Sequence, residues 1–186
     1  MKILQYLNAR ILVGTLLILG LGWIWLSRIP ADAPKNQAFA SPQIGFLAPN
    51  FELEDLNGQK IELSSYKNKV VLVNFWASWC PPCKAEMPTL ENIYTKYNGP
   101  DFEILAVNST VQDSLPEVQN FVKATQLTFP ILLDKDGFAT HLYNIQSLPV
   151  SYFIGRDGII RDIVVGGPMP EAMLIRKIDL MLNGGY

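Results

Sequence analysis

The chain has 186 residues, of which 49 % are hydrophobic and 11 % aromatic, and this composition excludes a disordered or fibrous protein. Its formal net charge is -2, so it lacks the positive field that a nucleic-acid-binding protein needs to offset phosphate charge. Two cysteines and one histidine supply too few ligands for a four-coordinate structural zinc site. We therefore expect a folded domain of ordinary size with an additional segment.

An uncharged apolar segment, residues 11–27, lies near the amino terminus between Arg10 and Arg28. As a helix it is about 26 Å long, close to the roughly 30 Å hydrocarbon core of a bilayer. The positive charges that precede it predict that residues 1–10 stay in the cytoplasm and that the rest of the chain crosses outward. The segment therefore predicts a single transmembrane signal-anchor.

A cleaved signal peptide and a buried core helix are the alternative interpretations of this segment. Residues 38–40, Ala-Phe-Ala, resemble a cleavage site but lie far beyond the apolar segment, which favours an uncleaved anchor. Residues 28–43 contain three prolines among small and polar residues and are typical of an extended linker. Residues 44–186 then form the predicted folded domain, on the extracytoplasmic, periplasmic-type side of the cell membrane.

The remaining pattern predicts strands and helices in alternation along the chain. A hairpin is expected first, with strands at residues 50–53 and 60–63 around the turn 55–58. Val70–Trp76 is a nearly continuous apolar run, as in a central strand that is buried on both faces. This order predicts an α/β fold, with a central mixed β-sheet flanked by helices. The later predicted elements are helices at Pro81–Tyr97, Leu115–Thr125 and 170–182, and strands at 102–107, 129–133, Val150–Ile154 and 159–165.

Both cysteines lie in one Cys-x-x-Cys motif, Cys80-Pro81-Pro82-Cys83, directly after the central strand and at the start of the long helix. Free backbone N–H groups and the helix dipole stabilise a thiolate there, so Cys80 is the candidate nucleophile. Cys83, one turn later, has the spacing to attack a mixed disulfide. Pro81 and Pro82 fit the first helical turn and stiffen the loop. Redox chemistry is the favoured interpretation, and the alternatives are two inert cysteines or half of a metal site with His141.

Residues 70–88, VVLVNFWASWCPPCKAEMP, resemble the active-site segment of the TlpA/ResA-like branch of the thioredoxin superfamily, within the redoxin or AhpC/TSA-like group. This branch comprises membrane-tethered or periplasmic thiol–disulfide oxidoreductases and includes the cytochrome c maturation thioredoxins. Residues 45–58 are similar to the family's amino-terminal hairpin, and residues 147–158 to its proline loop, strand and turn. The resemblance covers about residues 44–183 and implies a thioredoxin-like fold with an N-terminal β-hairpin.

The resemblance implies roles for the cysteines and for an acid beside them. Cys80 would be the exposed nucleophile and Cys83 the resolving thiol, and the two would form a redox-active disulfide. Glu86 lies three residues after Cys83 on the same helix face and matches an acidic residue of the subfamily. A partly buried Glu86 with a raised pKa would be able to exchange a proton with Cys83, whereas an exposed structural glutamate is the alternative. Asn74 stands where general thioredoxins have a buried aspartate.

The resemblance also implies a substrate groove around the loop that carries Leu148 and Pro149. Pro149 would be a cis-proline that faces the disulfide and shapes the groove, and an ordinary trans proline is the alternative. Trp79 is expected to flank the exposed cysteine and to contact partner proteins. Pro81 and Pro82 are expected on the same surface.

Three further features lie outside this set. Trp76 is interpreted either as a second partner-contacting aromatic residue or as part of the core. His141 is expected to be a surface or core histidine rather than a catalytic one. Residues 166–168, Gly-Gly-Pro, are expected to lead into the last helix rather than to form a loop near the active face.

We therefore expect a membrane-anchored extracytoplasmic thiol–disulfide oxidoreductase that reduces disulfides in client proteins through the dithiol of Cys80 and Cys83. The direction follows from the resemblance, because Cys-x-x-Cys pairs span roughly -270 to -120 mV. The resemblance also implies a membrane thiol-electron transporter as reductant and apocytochrome c as a leading client. No cofactor, metal or nucleic-acid partner is expected. The alternatives are a disulfide-forming oxidase, a peroxidase of the peroxiredoxin type and a non-catalytic peptide-binding module.

Overall fold

The computed structural model describes residues 39–185 and five residues nearer the amino terminus, at positions 14, 18–20 and 23. Within the described residues, no helix is both long and apolar enough to cross a membrane. Three predicted segments lie wholly or mostly outside the described residues, namely the cytoplasmic segment 1–10, the anchor 11–27 and the linker 28–43.

The sheet within residues 39–185 has seven strands in the order β2-β1-β5-β4-β3-β6-β7. Its strands are β1 (Glu52–Asp55), β2 (Lys60–Glu62), β3 (Val70–Trp76), β4 (Phe102–Asn108), β5 (Ile131–Leu133), β6 (Val150–Ile154) and β7 (Ile160–Val165). The α-helices of the same region are α1 (Pro81–Tyr97), α2 (Leu115–Thr125), α3 (Phe138–Leu142) and α4 (Glu171–Leu182). Short 3-10 turns occupy Leu63–Tyr66 and Thr110–Gln112.

Strand β3 lies in the interior of the sheet and is buried on both faces. It pairs in parallel with β4 and antiparallel with β6, and all seven of its residues are buried. A nearly continuous apolar run such as Val-Val-Leu-Val-Asn-Phe-Trp suits that position, since both faces of the strand contact other layers. The predicted central strand and the predicted mixed sheet are thus confirmed.

Alternate residues of β3 enter two different hydrophobic clusters, one on each face of the sheet. Leu72 and Trp76 pack in the cluster that includes buried side chains of α1 and α4, such as Leu90 and Ile178. On the other face, the ring of Phe75 lies 5.2 Å from that of Tyr143 and 6.0 Å from that of Tyr152. Helices and aromatic side chains therefore cover both faces, as predicted for a flanked α/β sheet.

Most predicted elements are confirmed, and the differences are local. The amino-terminal hairpin is present as antiparallel β1 and β2, and the second hairpin as β6 and β7. Helix α3 was not predicted, because it has only five residues. Its start is stabilised by the carboxylate of Asp134, which accepts hydrogen bonds from the backbone N–H groups of Ala139 and Thr140 at 3.0 and 2.8 Å.

Two loops meet at the carboxyl ends of the parallel strands β3 and β4, because these strands end side by side. The loop 77–80 follows β3 and leads into α1, and the loop 109–114 follows β4 and leads into α2. The backbone N–H of Ser109 donates a hydrogen bond of 3.0 Å to the carbonyl of Trp76. Both cysteines therefore lie at the end of the sheet where the two loops touch.

Candidate active site

Cys80 and Cys83 form a disulfide at the amino end of α1. Cys80 immediately precedes the helix, and its Sγ accepts a hydrogen bond of 3.3 Å from the backbone N–H of Cys83. Pro81 and Pro82 occupy the first helical positions, where an N–H group would have no partner within the helix. The partial positive charge at this helix end favours the thiolate of Cys80 in the reduced form. The arrangement can therefore support thiol–disulfide exchange.

The two cysteines differ slightly in exposure. Cys80 is 3 % exposed and Cys83 is 0 % exposed, so Cys80 is more covered than the resemblance implied but is still the more accessible cysteine. Trp79 beside it is 55 % exposed. Pro81 is also exposed and Pro82 is half-buried. An incoming disulfide would therefore meet Cys80 first, next to the indole of Trp79.

The loop before β6 contributes the cis-proline that the resemblance implied. The peptide bond between Leu148 and Pro149 is cis, and the carbonyl of Pro149 accepts a hydrogen bond of 2.8 Å from the backbone N–H of Gly166. Leu148 and Trp79 line a shallow pocket of about 120 Å³, to which Gln112 also contributes. Residues distant in sequence thus form a small concave surface on the side of Trp79.

Glu86 is completely buried one turn after Cys83. Its Oε1 accepts a hydrogen bond of 2.8 Å from Nδ2 of Asn74, which also donates to Oγ of Ser151 at 2.9 Å. Burial raises the pKa of Glu86 to about 7, while the hydrogen bond from Asn74 and the backbone N–H of Met169 act in the opposite direction. Glu86 is thus buried rather than exposed, in line with the expected buried acid of raised pKa, and its catalytic role stays a prediction.

The second oxygen of Glu86 lies beneath the loop between β7 and α4. Within the described part of the chain, Oε2 accepts no well-aligned hydrogen bond. A Cβ atom built on Gly167 would lie 2.6 Å from this oxygen and 2.9 Å from Cγ of Pro149, so only glycine allows this close approach. The expectation that residues 166–168 merely lead into the last helix was wrong, because this loop covers Glu86 and Pro149.

Asp113 is a site residue that the sequence did not reveal. Its carboxylate accepts hydrogen bonds of 2.6 Å from both the backbone N–H and the Oγ of Ser78, two residues before Cys80. It also accepts from Nδ2 of Asn108 and from the backbone N–H of Ser114, each at 2.8 Å. A polar residue just before a helix was the available signal, but it indicates a helix start and not a contact with a distant loop.

Trp76 and His141 do not line the concave surface beside Trp79. Trp76 is fully buried, and its ring lies 5.6 Å from that of Phe121, which supports the interpretation as a core residue. His141 is exposed in α3, in agreement with a surface histidine.

Comparison with known proteins agrees with this geometry. The family model described as the AhpC/TSA family matches residues 44–163. The chain is 41 % identical over 152 residues to the thiol-disulfide oxidoreductase ResA of Bacillus subtilis, covering 80 % of this chain and 83 % of that protein. It is 38 % identical over 170 residues to the thioredoxin-like protein YneN of the same organism, covering 91 % and 96 % of the two chains.

A solved structure shares the architecture as well. A proposed thiol:disulfide interchange protein DsbE from Chlorobium tepidum superimposes with a TM-score of 0.69 at 30 % identity. The match covers 75 % of this chain and 98 % of that protein. The arrangement of sheet and helices is therefore shared with this solved structure.

Proposed function

The chain belongs to the AhpC/TSA family and is a thiol–disulfide oxidoreductase, and from this premise we propose that it reduces disulfides in client proteins through the dithiol of Cys80 and Cys83. Its fold is thioredoxin-like, as the resemblance implied. One observation carries the exchange chemistry: a disulfide at a helix amino terminus lies one turn from Glu86, a buried carboxyl with a pKa of about 7. The reducing direction rests on the resemblance.

The proposed reaction moves two electrons from the dithiol to the client. The Cys80 thiolate attacks one sulfur of the client disulfide, so that a mixed disulfide forms and the other client sulfur leaves as a thiolate. The Cys83 thiolate then attacks Sγ of Cys80 and releases the second client sulfur as a thiolate. The products are the disulfide of Cys80 and Cys83 and a reduced client with two thiols.

Glu86 would handle the protons of the second step. Cys83 is fully buried and must lose its proton before it attacks. Glu86, one turn further along the same helix face, accepts this proton in its ionised form and returns it to the leaving client sulfur. A pKa of about 7 suits both transfers at neutral pH, because neither protonation state is strongly favoured.

The groove beside the disulfide would hold the client chain. Trp79 and Pro81 are exposed next to Cys80, and Pro82 and Leu148 are half-buried. We assign contact with the client to this surface, with the cis-proline Pro149 at its base. The exposed indole supplies apolar area at low entropic cost.

We further propose that residues 11–27 anchor the chain in the cell membrane, with the oxidoreductase domain on the extracytoplasmic side. The uncharged segment and the positive charges before it support this topology. A reductant in that compartment needs electrons from the cytoplasm, so a membrane thiol-electron transporter is the proposed donor. Apocytochrome c is the proposed leading client, on the strength of the resemblance.

Trapping of the mixed disulfide tests the roles of the two cysteines. Full-length chain carrying Cys83→Ala should form a covalent adduct with an oxidised test protein such as insulin, because Cys80 attacks and nothing resolves the adduct. Cys80→Ala should form none, and the wild type should reduce insulin without accumulating an adduct. An adduct with Cys80→Ala alone would reverse the assignment, and insulin binding without reduction by the wild type would indicate a non-catalytic module.

The topology has its own test. Protease added outside intact cells with permeable walls should digest the domain and leave a short membrane-bound fragment. Protection of the domain until the cells are lysed would contradict the extracytoplasmic location.

A further inference from the structure

A network of hydrogen bonds ties the loop before Cys80 to the loop after β4. The Asp113 carboxylate binds both the backbone N–H and the hydroxyl of Ser78 at 2.6 Å. The indole Nε1 of the next residue, Trp79, donates a hydrogen bond of 2.9 Å to the carbonyl of Gln112. Two neighbouring residues of one loop thus hold two neighbouring residues of the other, and we call this set of four residues the loop clamp.

Asp113 is itself fixed to the rigid part of the fold. Nδ2 of Asn108, the last residue of β4, donates to its carboxylate, as does the backbone N–H of Ser114 before α2. Burial alone would raise the pKa of Asp113, but the hydrogen bonds from Asn108, Ser78 and Ser114 outweigh it and hold this pKa below its ordinary value. Asp113 is therefore ionised at neutral pH, and its hydrogen bonds are of the strong, charge-assisted kind.

The clamp acts on a residue that is exposed. Trp79 is 55 % exposed, so its indole has little packing to hold it in one orientation. The hydrogen bond to Gln112 and the fixed backbone of Ser78 supply that restraint instead. A large aromatic side chain that is already ordered binds a partner with less loss of conformational entropy than a mobile one.

We propose that Asp113 is a positioning residue that holds Trp79 in place as a preformed contact for the protein client. This inference rests on the proposed function, since it deepens the account of the same site. Asp113 acts on recognition of the client and not on the sulfur chemistry, because its hydrogen-bond donors are Ser78, Asn108 and Ser114 and include neither cysteine.

A comparison of a protein substrate with a small substrate tests the inference. In full-length chain purified in detergent, Asp113→Ala should lower kcat/KM for insulin about tenfold, mainly through KM, because several charge-assisted hydrogen bonds are lost. The rate with a small aromatic disulfide and the reduction potential should not change. Glu117→Ala, which removes an exposed acid from the first turn of α2, is the matched control and should behave as wild type.

The same network should couple the two partners energetically. Ser78→Ala removes one donor and should cause a smaller loss than Asp113→Ala. The double variant should lose no more kcat/KM for insulin than Asp113→Ala alone, because the effects of substitutions within one hydrogen-bond network are not additive. An additive loss, an equal loss for both substrates or a shifted potential would overturn the inference.

A direct readout of Trp79 separates this inference from the proposed function. The indole N–H signal of Trp79, assigned by its absence in Trp79→Phe, should exchange with solvent about tenfold faster in Asp113→Ala. Unchanged exchange would overturn the inference. A wild type that cannot reduce insulin would refute the proposed function, while the indole exchange would still decide whether Asp113 holds Trp79.

Discussion

Two carboxyl groups near the disulfide, Glu86 and Asp113, have opposite environments. Glu86 is fully buried under the loop of Gly167, and Asn74 supplies its one side-chain hydrogen bond. Asp113 is half-buried and accepts four hydrogen bonds, from Ser78, Asn108 and Ser114. Burial therefore raises the pKa of Glu86 to about 7, whereas hydrogen bonding holds the pKa of Asp113 below its ordinary value.

The difference shows how one protein obtains two functions from the same chemical group. A carboxyl that is fully buried and has few donors loses the advantage of being charged, so it becomes able to carry a proton at neutral pH. A carboxyl that satisfies several N–H and O–H donors stays charged and acts as a fixed anchor. The number of donors, rather than burial alone, decides between the two.

Glu86→Gln should have the largest effect, because it removes the proposed proton carrier and keeps the shape of the side chain. The rate of client reduction at neutral pH should fall about 100-fold, and the change of rate around pH 7 should disappear. A pH series of insulin reduction measures both quantities. Glu117→Gln is the matched control, and an unchanged pH profile in Glu86→Gln would contradict the assigned role.

The pH dependence of stability should also separate the two carboxyls. The folded-state pKa of Glu86, about 7, lies above its ordinary value of 4.5, so folding favours the protonated form. This contribution is complete below pH 4.5 and is lost as the pH rises through 7, and it amounts to about 3 kcal/mol as an upper value. Denaturant unfolding of both proteins across this range should show a larger loss of stability in the wild type than in Glu86→Gln, which keeps only the contribution of other buried carboxyls such as Glu103.

Asp113 should contribute with the opposite sign. Its folded-state pKa is below the ordinary value of 3.8, so its stabilisation is present above that pH and is lost as the pH falls through the folded-state pKa. In Asp113→Asn, the free energy of unfolding should therefore fall less than in the wild type as the pH drops into the acid range. Its change with pH around neutrality should be the same as in the wild type. A smaller change in the free energy of unfolding around neutral pH in Asp113→Asn would contradict the assigned difference between the two carboxyls.

Gly167→Ala should make Glu86 more like an ordinary carboxyl. The new Cβ would lie 2.6 Å from Oε2, so the loop must move and admit water. The pKa of Glu86 should fall from about 7 toward 4.5, and the pH midpoint of client reduction should fall by about one unit. Gly99→Ala is the control, since a Cβ there meets no heavy atom closer than 3.8 Å.

Asn74→Ala should give the smallest shift, in the opposite direction. Asn74 lowers the pKa of Glu86 by its hydrogen bond, so its removal should raise that pKa above 7 by less than about one unit. Ser151→Ala keeps the bond between Asn74 and Glu86 and should leave the pH midpoint of client reduction unchanged. A downward shift in Asn74→Ala would show that water, and not Asn74, controls this carboxyl.

Features set by local pattern could be predicted from the sequence. The apolar run of Val70–Trp76 predicts a buried central strand, and the prolines after Cys80 predict where Pro81–Tyr97 begins. The three-residue spacing from Cys83 to Glu86 places both on one helix face, and both are buried as that placement requires. Each of these inferences depends on residues that are close together in the chain.

Features that depend on tertiary contacts could not be predicted in the same way. Asp113 and Ser78 are 35 residues apart, and only the adjacent ends of the parallel strands bring them together. In the sequence, Gly167 indicates only a turn, and its close approach to Glu86 depends on the tertiary fold. Helix α3 was missed because five residues carry too little periodicity.

The reduction potential of the Cys80–Cys83 pair shows most clearly whether this oxidoreductase is a reductant. Full-length chain would be equilibrated in dithiothreitol or glutathione redox buffers, and free thiols would be counted by alkylation. We expect a potential near or below about -230 mV, as for a protein that donates electrons to client disulfides. A potential near about -120 mV would contradict it and indicate a disulfide-forming oxidase.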